Sequence, residues 1–180
     1  LMKVISVVHN ADILVDTYQF HDSLKKEVIR LLKQGVPCIP QEDSNVKASL
    51  HTIWDWEPNN IKFRNVKAYI REEIERHYRP GAMSGDPNRV WLKSTNFWAN
   101  LYKKGDYGTV HNHKPNSFSF AYFLKSEDDH AAFVFTDSGY KIIPKEGTFI
   151  AFPAYLNHHV EEHKVDDKRI TLSGNFEINK

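Results

Sequence analysis

Apolar residues along the chain follow two different spacings, and the change between them divides the sequence. From Thr17 to Lys33, Phe20, Leu24, Val28 and Leu31 recur at three- and four-residue intervals before Gly35 and Pro37. That is the spacing of an amphipathic helix followed by its stop signals. A second helix is predicted from about Asn60 to His77, with Phe63, Val66, Ile70 and Ile74 on one stripe. It ends at Arg79-Pro80-Gly81, because proline lacks the N–H that would continue it. A short β-like run, Lys3 to Val8, precedes both helices. Between them lies the aromatic stretch His51-Thr-Ile-Trp-Asp-Trp56. Trp54 and Trp56 read as core or helix-packing residues, or else as a stacking surface on the substrate side.

From Arg89 onward the chain becomes a series of short β-branched and aromatic runs broken by Lys104-Gly105-Asp106, Lys114-Pro115-Asn116, Asp137-Ser138-Gly139 and Lys145-Glu146-Gly147. Such punctuation is that of an all-β region. Strands are predicted at Val90 to Leu92, Phe97 to Tyr102, Gly108 to His111, Phe118 to Leu124, Ala131 to Phe135, Tyr140 to Ile143, Thr148 to Phe152, Leu156 to Glu161 and Arg169 to Ile178. Eight or nine short strands suit a jelly roll. The 180 residues are enough for one sizeable core and too few for two, so a single domain is expected, with its seam at Gly81 to Asn88.

Composition narrows the functional classes. With 41% apolar and 26% charged residues the chain is an ordinary globular protein. Its 24 basic and 23 acidic residues leave a formal charge of +1, which supplies no broad field for a phosphate backbone, so nucleic acid is not implied as a partner. The one cysteine, Cys38, can form neither an internal disulfide nor a thiolate metal site. No apolar run approaches the roughly 20 residues needed to span a bilayer, and no secretory stretch opens the chain. No membrane association is expected, and a cytoplasmic location is. Leu1 ahead of Met2 is set aside as a preparation remnant.

Candidate chemistry rests on spacing. His111 and His113 are two apart at a predicted strand end, so both side chains point to one face and can share an ion. His158 follows 47 residues later, just after the strand-like Gly147-Thr-Phe-Ile-Ala-Phe-Pro153. Arg169 comes 11 residues after that and opens the last strand, where Thr171 and Ser173 share its face. A guanidinium fork with two hydroxyls suits a carboxylate, and an arginine buried on a strand needs an anion. His159 should point away from its neighbour's face. His163, His130, His77, His51, His21 and His9 show no partner spacing and read as ordinary surface or hydrogen-bonded histidines. Phe118, Phe120, Tyr122, Phe133, Phe135 and Phe152 could wall a pocket, although alternating aromatics also describe a sandwich interior.

With Asn100-Leu-Tyr102, Gly105, His111-Asn-His113, His158 and Arg169 in this order, the chain resembles the Fe(II)- and 2-oxoglutarate-dependent oxygenases. It is most similar to small oxygenases of phages and marine bacteria, which carry segments like Trp98-Ala-Asn-Leu-Tyr-Lys-Lys-Gly-Asp106, Phe152-Pro-Ala-Tyr-Leu-Asn-His158 and Arg169-Ile-Thr-Leu-Ser-Gly-Asn175. The resemblance covers about Phe97 to Phe176. It implies a mainly β, α+β chain: a double-stranded β-helix (jelly roll, cupin-like barrel) over 89–180, with N-terminal helices of 1–88 packed on one sheet as a support region. It further implies Fe(II), O₂ and 2-oxoglutarate as cosubstrate. The substrate, a small molecule or a peptide, would be hydroxylated with release of succinate and CO₂. For a phage-encoded member the location would be the host cytoplasm.

By the same resemblance His111 and His158 are iron ligands, Arg169 with Thr171 or Ser173 anchors the distal carboxylate, and Asn100 and Tyr102 touch the cosubstrate. The family pattern has a carboxylate where this chain has His113, which is expected to be the third ligand. Asp106 would replace it only if its loop folded back. Were His113 to swing away, the coordination position would open to water or a halide, and halogenation would enter. Two other readings fit part of the pattern. A cupin metalloenzyme matches Gly105, the histidine pair, Gly147 and Pro153, but has Ser117 and Phe118 where its glutamate belongs. A non-catalytic jelly-roll binding module would make the histidines incidental.

Overall fold

The protein is described here by a computed structural model covering residues 10–78 and 91–179. The predicted strand at 3–8, helix stop at 79–81 and seam at 81–88 lie outside the described residues. The helices are α1 (His21–Gln34) and α2 (Ile61–Tyr78). The strands are β1 (Leu14–Thr17), β2 (Val46–Lys47), β3 (Leu50–His51), β4 (Leu92–Tyr102), β5 (Tyr107–His111), β6 (Phe118–Lys125), β7 (Phe133–Phe135), β8 (Tyr140–Ile142), β9 (Thr148–Pro153), β10 (His158–Val160) and β11 (Arg169–Ile178). They form two antiparallel sheets, ordered β1-β9-β6-β11-β4-β3 and β2-β5-β10-β7-β8. From β4 to β11 the chain passes repeatedly between the sheets, the winding of a jelly roll.

Strand alternation sorts the side chains between two cores. On β6, Phe118, Phe120, Tyr122 and Leu124 join α1 and α2 residues Leu24, Val28, Phe63, Val66, Ile70 and Ile74 in one buried cluster. The intervening Ala121 and Phe123 join Phe133, Phe135, Val160 and Val46 in a second cluster between the sheets. The same period of two divides Phe149 and Ala151 of β9 from Ile150 and Phe152. Among the described residues, no helix is long and apolar enough to cross a membrane.

Three expectations need correction. Helix α1 starts at His21, not Thr17, because Leu14–Thr17 pairs with β9 as an edge strand; Phe20 is left outside the helix, 57% exposed. The strand expected at Phe97 to Tyr102 runs unbroken from Leu92, the end of the one expected at Val90 to Leu92, since Lys93 to Asn96 also pairs with β11 and absorbs a register shift near Asn175; Val90 itself lies outside the described residues. Strands β2 and β3, two residues each, were not anticipated.

Gly174 on β11 permits the close approach of β4 and β6. A Cβ there would lie 2.6 Å from the Phe120 ring and 2.7 Å from the Asn96 carbonyl oxygen. Gly174→Ala is expected to destabilise the fold by about 1–3 kcal/mol, the usual cost of overpacking, read as a lower urea midpoint at unchanged slope.

The helical layer is also tied to the sheet by Glu146, which accepts hydrogen bonds from Lys25 Nζ (2.5 Å), His21 Nε2 (3.3 Å) and the Ser126 N–H (3.2 Å). Burial works to raise its pKa, but these donors together hold it below the usual carboxylate range. A lowered carboxylate pKa contributes stability above the unfolded-state value of about 4.3, and that stability is lost as pH falls through the folded-state value. Glu146→Gln should therefore unfold at lower urea than the parent at pH 7, and the gap should close below about pH 4. A gap independent of pH would mean that packing, not charge, is what Glu146 contributes.

Candidate metal centre

Strands β5 and β10 are neighbours, and His158 lies directly opposite His111 in their register, so both imidazoles stand on one face. Each is oriented by its own backbone. His111 Nδ1 is 2.7 Å from the Thr109 carbonyl oxygen and His158 Nδ1 is 2.9 Å from that of Leu156. A carbonyl only accepts, so each Nδ1 carries the proton and each Nε2 presents a lone pair. His113 is held differently. Its N–H donates to the Ala154 carbonyl (2.8 Å), and its own carbonyl accepts from the Asn116 N–H (3.0 Å) and Nδ2 (2.9 Å). Asn116 is in turn fixed by the Thr95 hydroxyl at 2.7 Å.

One potential ligand atom from each of His111, His113 and His158 lies within 4.8 Å of the others, close enough for small ring rotations to bring three nitrogens onto one ion. The ring centroids are 4.4 to 5.0 Å apart. Phe133 stacks on His158 at 4.9 Å and Phe152 meets it edge-on at 5.0 Å. Burial, and then the neighbouring histidines, lowers the pKa of His158 to about 2. For His113 burial and His111 lower it to about 3, and burial also lowers that of His111. All three are kept neutral, the form in which imidazole binds a metal. Asp106 is not among them. Its carboxylate accepts the Ser49 and Lys103 N–H groups at 2.6 and 2.7 Å, closing the turn before β5.

The facing wall comes from β4 and β11, whose register sets Arg169 opposite Tyr102, Thr171 opposite Asn100 and Ser173 opposite Trp98. Arg169 is 1% exposed. One guanidinium nitrogen donates to the Ala131 carbonyl at 2.5 Å, and the group lies 5.3 Å from the Tyr102 ring centroid and 5.4 Å from that of Phe123. Its Nε has no partner, and no carboxylate pairs with it among the described residues. Burial lowers its pKa to about 10, still charged at neutral pH, and raises that of Tyr102 to about 12. The Asn100 side-chain oxygen is likewise buried without a partner.

The two walls enclose one cleft of about 430 Å³, its mouth included. All eight residues singled out from the sequence, His111, His113, His158, Arg169, Asn100, Tyr102, Thr171 and Ser173, line it. Of the six candidate aromatics, Phe133 and Phe152 of the core between the sheets line the cleft; Phe120 also borders it but packs with Phe118 and Tyr122 in the helix-side core, and Phe135 belongs to the core between the sheets.

Trp98 also lines the cleft and was not singled out. His51, expected to be ordinary, is 2% exposed and pairs in register with Asn100. Its ring meets Trp54 at 4.5 Å and lies parallel to Trp98 at 6.3 Å. Its place in the aromatic stretch was the available signal. His130 and His163, also expected to be ordinary, are buried together at 4.7 Å behind Arg169's acceptor, hydrogen-bonded to the Glu127 N–H and the Asp167 carbonyl. His159 bonds Thr136 and takes no part in the triad.

Neither a protein-family model nor a curated protein matches the chain. Solved structures do resemble it. A viral collagen prolyl hydroxylase of Paramecium bursaria Chlorella virus-1, solved with 2-oxoglutarate, is 17% identical; the match covers 90% of this chain and 94% of that one, with a TM-score of 0.64. An oxidoreductase of the 2OG-Fe(II) oxygenase family from Burkholderia pseudomallei is 15% identical over 92% and 84%, with a TM-score of 0.61. A Trichoplax adhaerens prolyl hydroxylase, in complex with a peptide fragment of the hypoxia inducible factor oxygen degradation domain, is 12% identical over 92% and 83%, with a TM-score of 0.69. Through two sheets wound as a jelly roll and its likeness to these enzymes, the chain has the fold of the Fe(II)- and 2-oxoglutarate-dependent oxygenase superfamily.

Proposed function

We propose that the chain is an Fe(II)- and 2-oxoglutarate-dependent dioxygenase that hydroxylates a small-molecule or peptide substrate, releasing succinate and CO₂. One observation carries this reading: a buried arginine with an unpartnered Nε faces a triad of neutral histidines across a single cleft. An arginine so placed needs an anion, and a 2-oxo diacid has one carboxylate for the arginine and a chelating 2-oxo acid end for a metal.

In this reading His111, His113 and His158 hold iron, and Arg169 takes the distal carboxylate with Thr171 or Ser173. Asn100 and Tyr102 border the cosubstrate from β4. Bound iron with 2-oxoglutarate and O₂ supplies the oxidising chemistry. The chain's own residues do the rest. The backbone carbonyls of Thr109 and Leu156 set the imidazole tautomers. The guanidinium fork orients the diacid, and Phe133 and Phe152 keep water from the metal side. We take residues 1–180 as one oxygenase domain, with 89–180 as the double-stranded β-helix core and the helices of 1–88 backing the six-stranded sheet. A cytoplasmic setting suits the exposed free thiol of Cys38.

Anaerobic reconstitution tests the function. One equivalent of Fe(II) should bind, and added 2-oxoglutarate should raise a metal-to-ligand charge-transfer band in the visible. A cupin would bind metal without that band, and a binding module would hold no stoichiometric iron, so either result would sink the proposal.

His113 is tested separately. His113→Ala should lose iron affinity, while His113→Asp, which restores a carboxylate, should recover both iron binding and cosubstrate turnover. If His113→Ala held iron as tightly as the parent, the ligand set would reduce to His111 and His158, and halide dependence would be the next measurement.

A further inference from the structure

Among the described residues, the cleft lacks a negative charge. None of the described side chains lining it is a carboxylate: beside Arg169 and the three histidines they are aromatic, aliphatic, hydroxyl or amide. Carboxylates on neighbouring segments lie outside the lining and are bound elsewhere. Asp55 accepts from Asn96, Asp106 from two backbone N–H groups, and Asp137 from Asn157. On the function proposed above, a divalent ion and Arg169 bring three positive charges, and imidazole ligands bring none. The 2-oxoglutarate dianion cancels two. One positive charge is left uncompensated in a cleft walled by Phe133 and Phe152, where burying an unpaired charge is costly.

A second observation locates where compensation can come from. Trp98 is 3% exposed, lines the cleft beside His113 with ring centroids 5.7 Å apart, and its indole N–H has no acceptor among the described residues. The indole nitrogen only donates, so its missing partner is an acceptor. The ring is held on two further sides, by Trp54 edge-on at 4.9 Å and by the parallel His51 ring at 6.3 Å. It is therefore positioned before any ligand arrives. Arg169 lies toward the opposite end of the same face of β4 and β11, across from Tyr102, with the Asn100 and Thr171 pair between it and Trp98. Two unpartnered donors thus stand at the two ends of one cleft: Arg169 serves the cosubstrate, and Trp98 remains for the third component.

We infer that the substrate is an anion, most simply one bearing a carboxylate, whose charged oxygen accepts the Trp98 N–H and supplies the negative charge that the missing ligand carboxylate does not. This rests on the oxygenase reading and goes beyond it by naming a substrate class. A neutral peptide segment could offer a carbonyl to the indole donor but would leave the charge unmatched. His51 is a positioning residue for Trp98.

The test uses the full chain loaded with Co(II) under saturating 2-oxoglutarate in chloride-free buffer, with acetate and acetamide as probes of the same shape and different charge. The cobalt visible spectrum and titration calorimetry report binding. Acetate should saturate a single site at least tenfold more tightly than acetamide. Trp98→Phe should weaken acetate at least fivefold while the 2-oxoglutarate constant stays within threefold of the parent. Equal binding of acetamide and acetate, or no acetate binding to a protein that does take up Co(II) and 2-oxoglutarate, overturns the anionic substrate and leaves the oxygenase reading standing. Acetate binding unaffected in Trp98→Phe removes Trp98 from the subsite. Failure to bind Co(II) or 2-oxoglutarate at all defeats the oxygenase reading and this inference with it. If Trp98→Phe does not fold, the acetate and acetamide comparison on the parent chain still decides the charge.

Discussion

His158→Ala should abolish stoichiometric Fe(II) binding, weakening it by more than about a hundredfold, because the loss of even an outer partner of a ligand commonly costs 10–100-fold. The expectation comes from its geometry. His158 faces His111 across the β5–β10 pair, is locked by the Leu156 carbonyl, and is 2% exposed against Phe133 and Phe152. No other imidazole in the cleft can take its place, since His159 is bonded to Thr136. His111→Ala should behave alike. Both variants should keep the far-ultraviolet circular dichroism of the parent, because the cores are built from other residues. Iron content near the parent's in either variant would remove that residue from the ligand set.

Arg169→Ala is expected to raise the apparent 2-oxoglutarate constant at least tenfold, with iron affinity in the absence of cosubstrate little changed. Removing one partner of a desolvated charge pair costs about 2–5 kcal/mol, and about 2 kcal/mol is already a roughly thirtyfold effect. Arg169→Lys should recover only part of the loss, since an ammonium cannot reproduce the planar fork. The geometry sharpens this expectation. The guanidinium is anchored to Ala131 and flanked by the Tyr102 and Phe123 rings, and its Nε is buried from solvent without a partner among the described residues. An unchanged constant, measured by calorimetry on the Co(II) form, would exclude Arg169 as the anchor.

What could be read from the sequence depended on how far each signal extends along the chain. The stripe Phe63, Val66, Ile70, Ile74 repeats over three turns, and all four residues are buried, within a helix displaced by one residue at each end. The bounds of β11, Arg169–Ile178, agree with the strand predicted, because ten residues with an alternating face leave little freedom. In contrast, β2 and β3 offer only two residues each, too few for any period, and exist because β5 and β4 present edges for them to pair with. Phe20 fits the helical stripe numerically, but tertiary pairing of Leu14–Thr17 with β9 moves the helix start past it.

The cleft was legible for a related reason. His111, His113, Asn100, Tyr102, Arg169, Thr171 and Ser173 lie on or beside regular strands, where every second residue shares a face. Trp98 belongs to that same alternating row and could have been included on the same ground. What spacing cannot report is pairing between distant loops, which is how His130 meets His163. Nor does it report which donors remain unpartnered once the chain has closed.

The pairing of His158 with His111 has a kinetic consequence. The two paired histidines are separated by 46 residues, which include β6 to β9, and β4 pairs with β11 from further along the chain still. Folds dominated by such distant pairings assemble in milliseconds to seconds, far slower than helical bundles. Of the three histidines His111, His113 and His158, an unfolded chain keeps only His111 and His113 close together, while all three meet only in the native state. Metal present at a hundred times its dissociation constant would therefore favour the folded chain by about 2.7 kcal/mol, and a chelator should lower the melting temperature of the holoprotein without touching a single core contact.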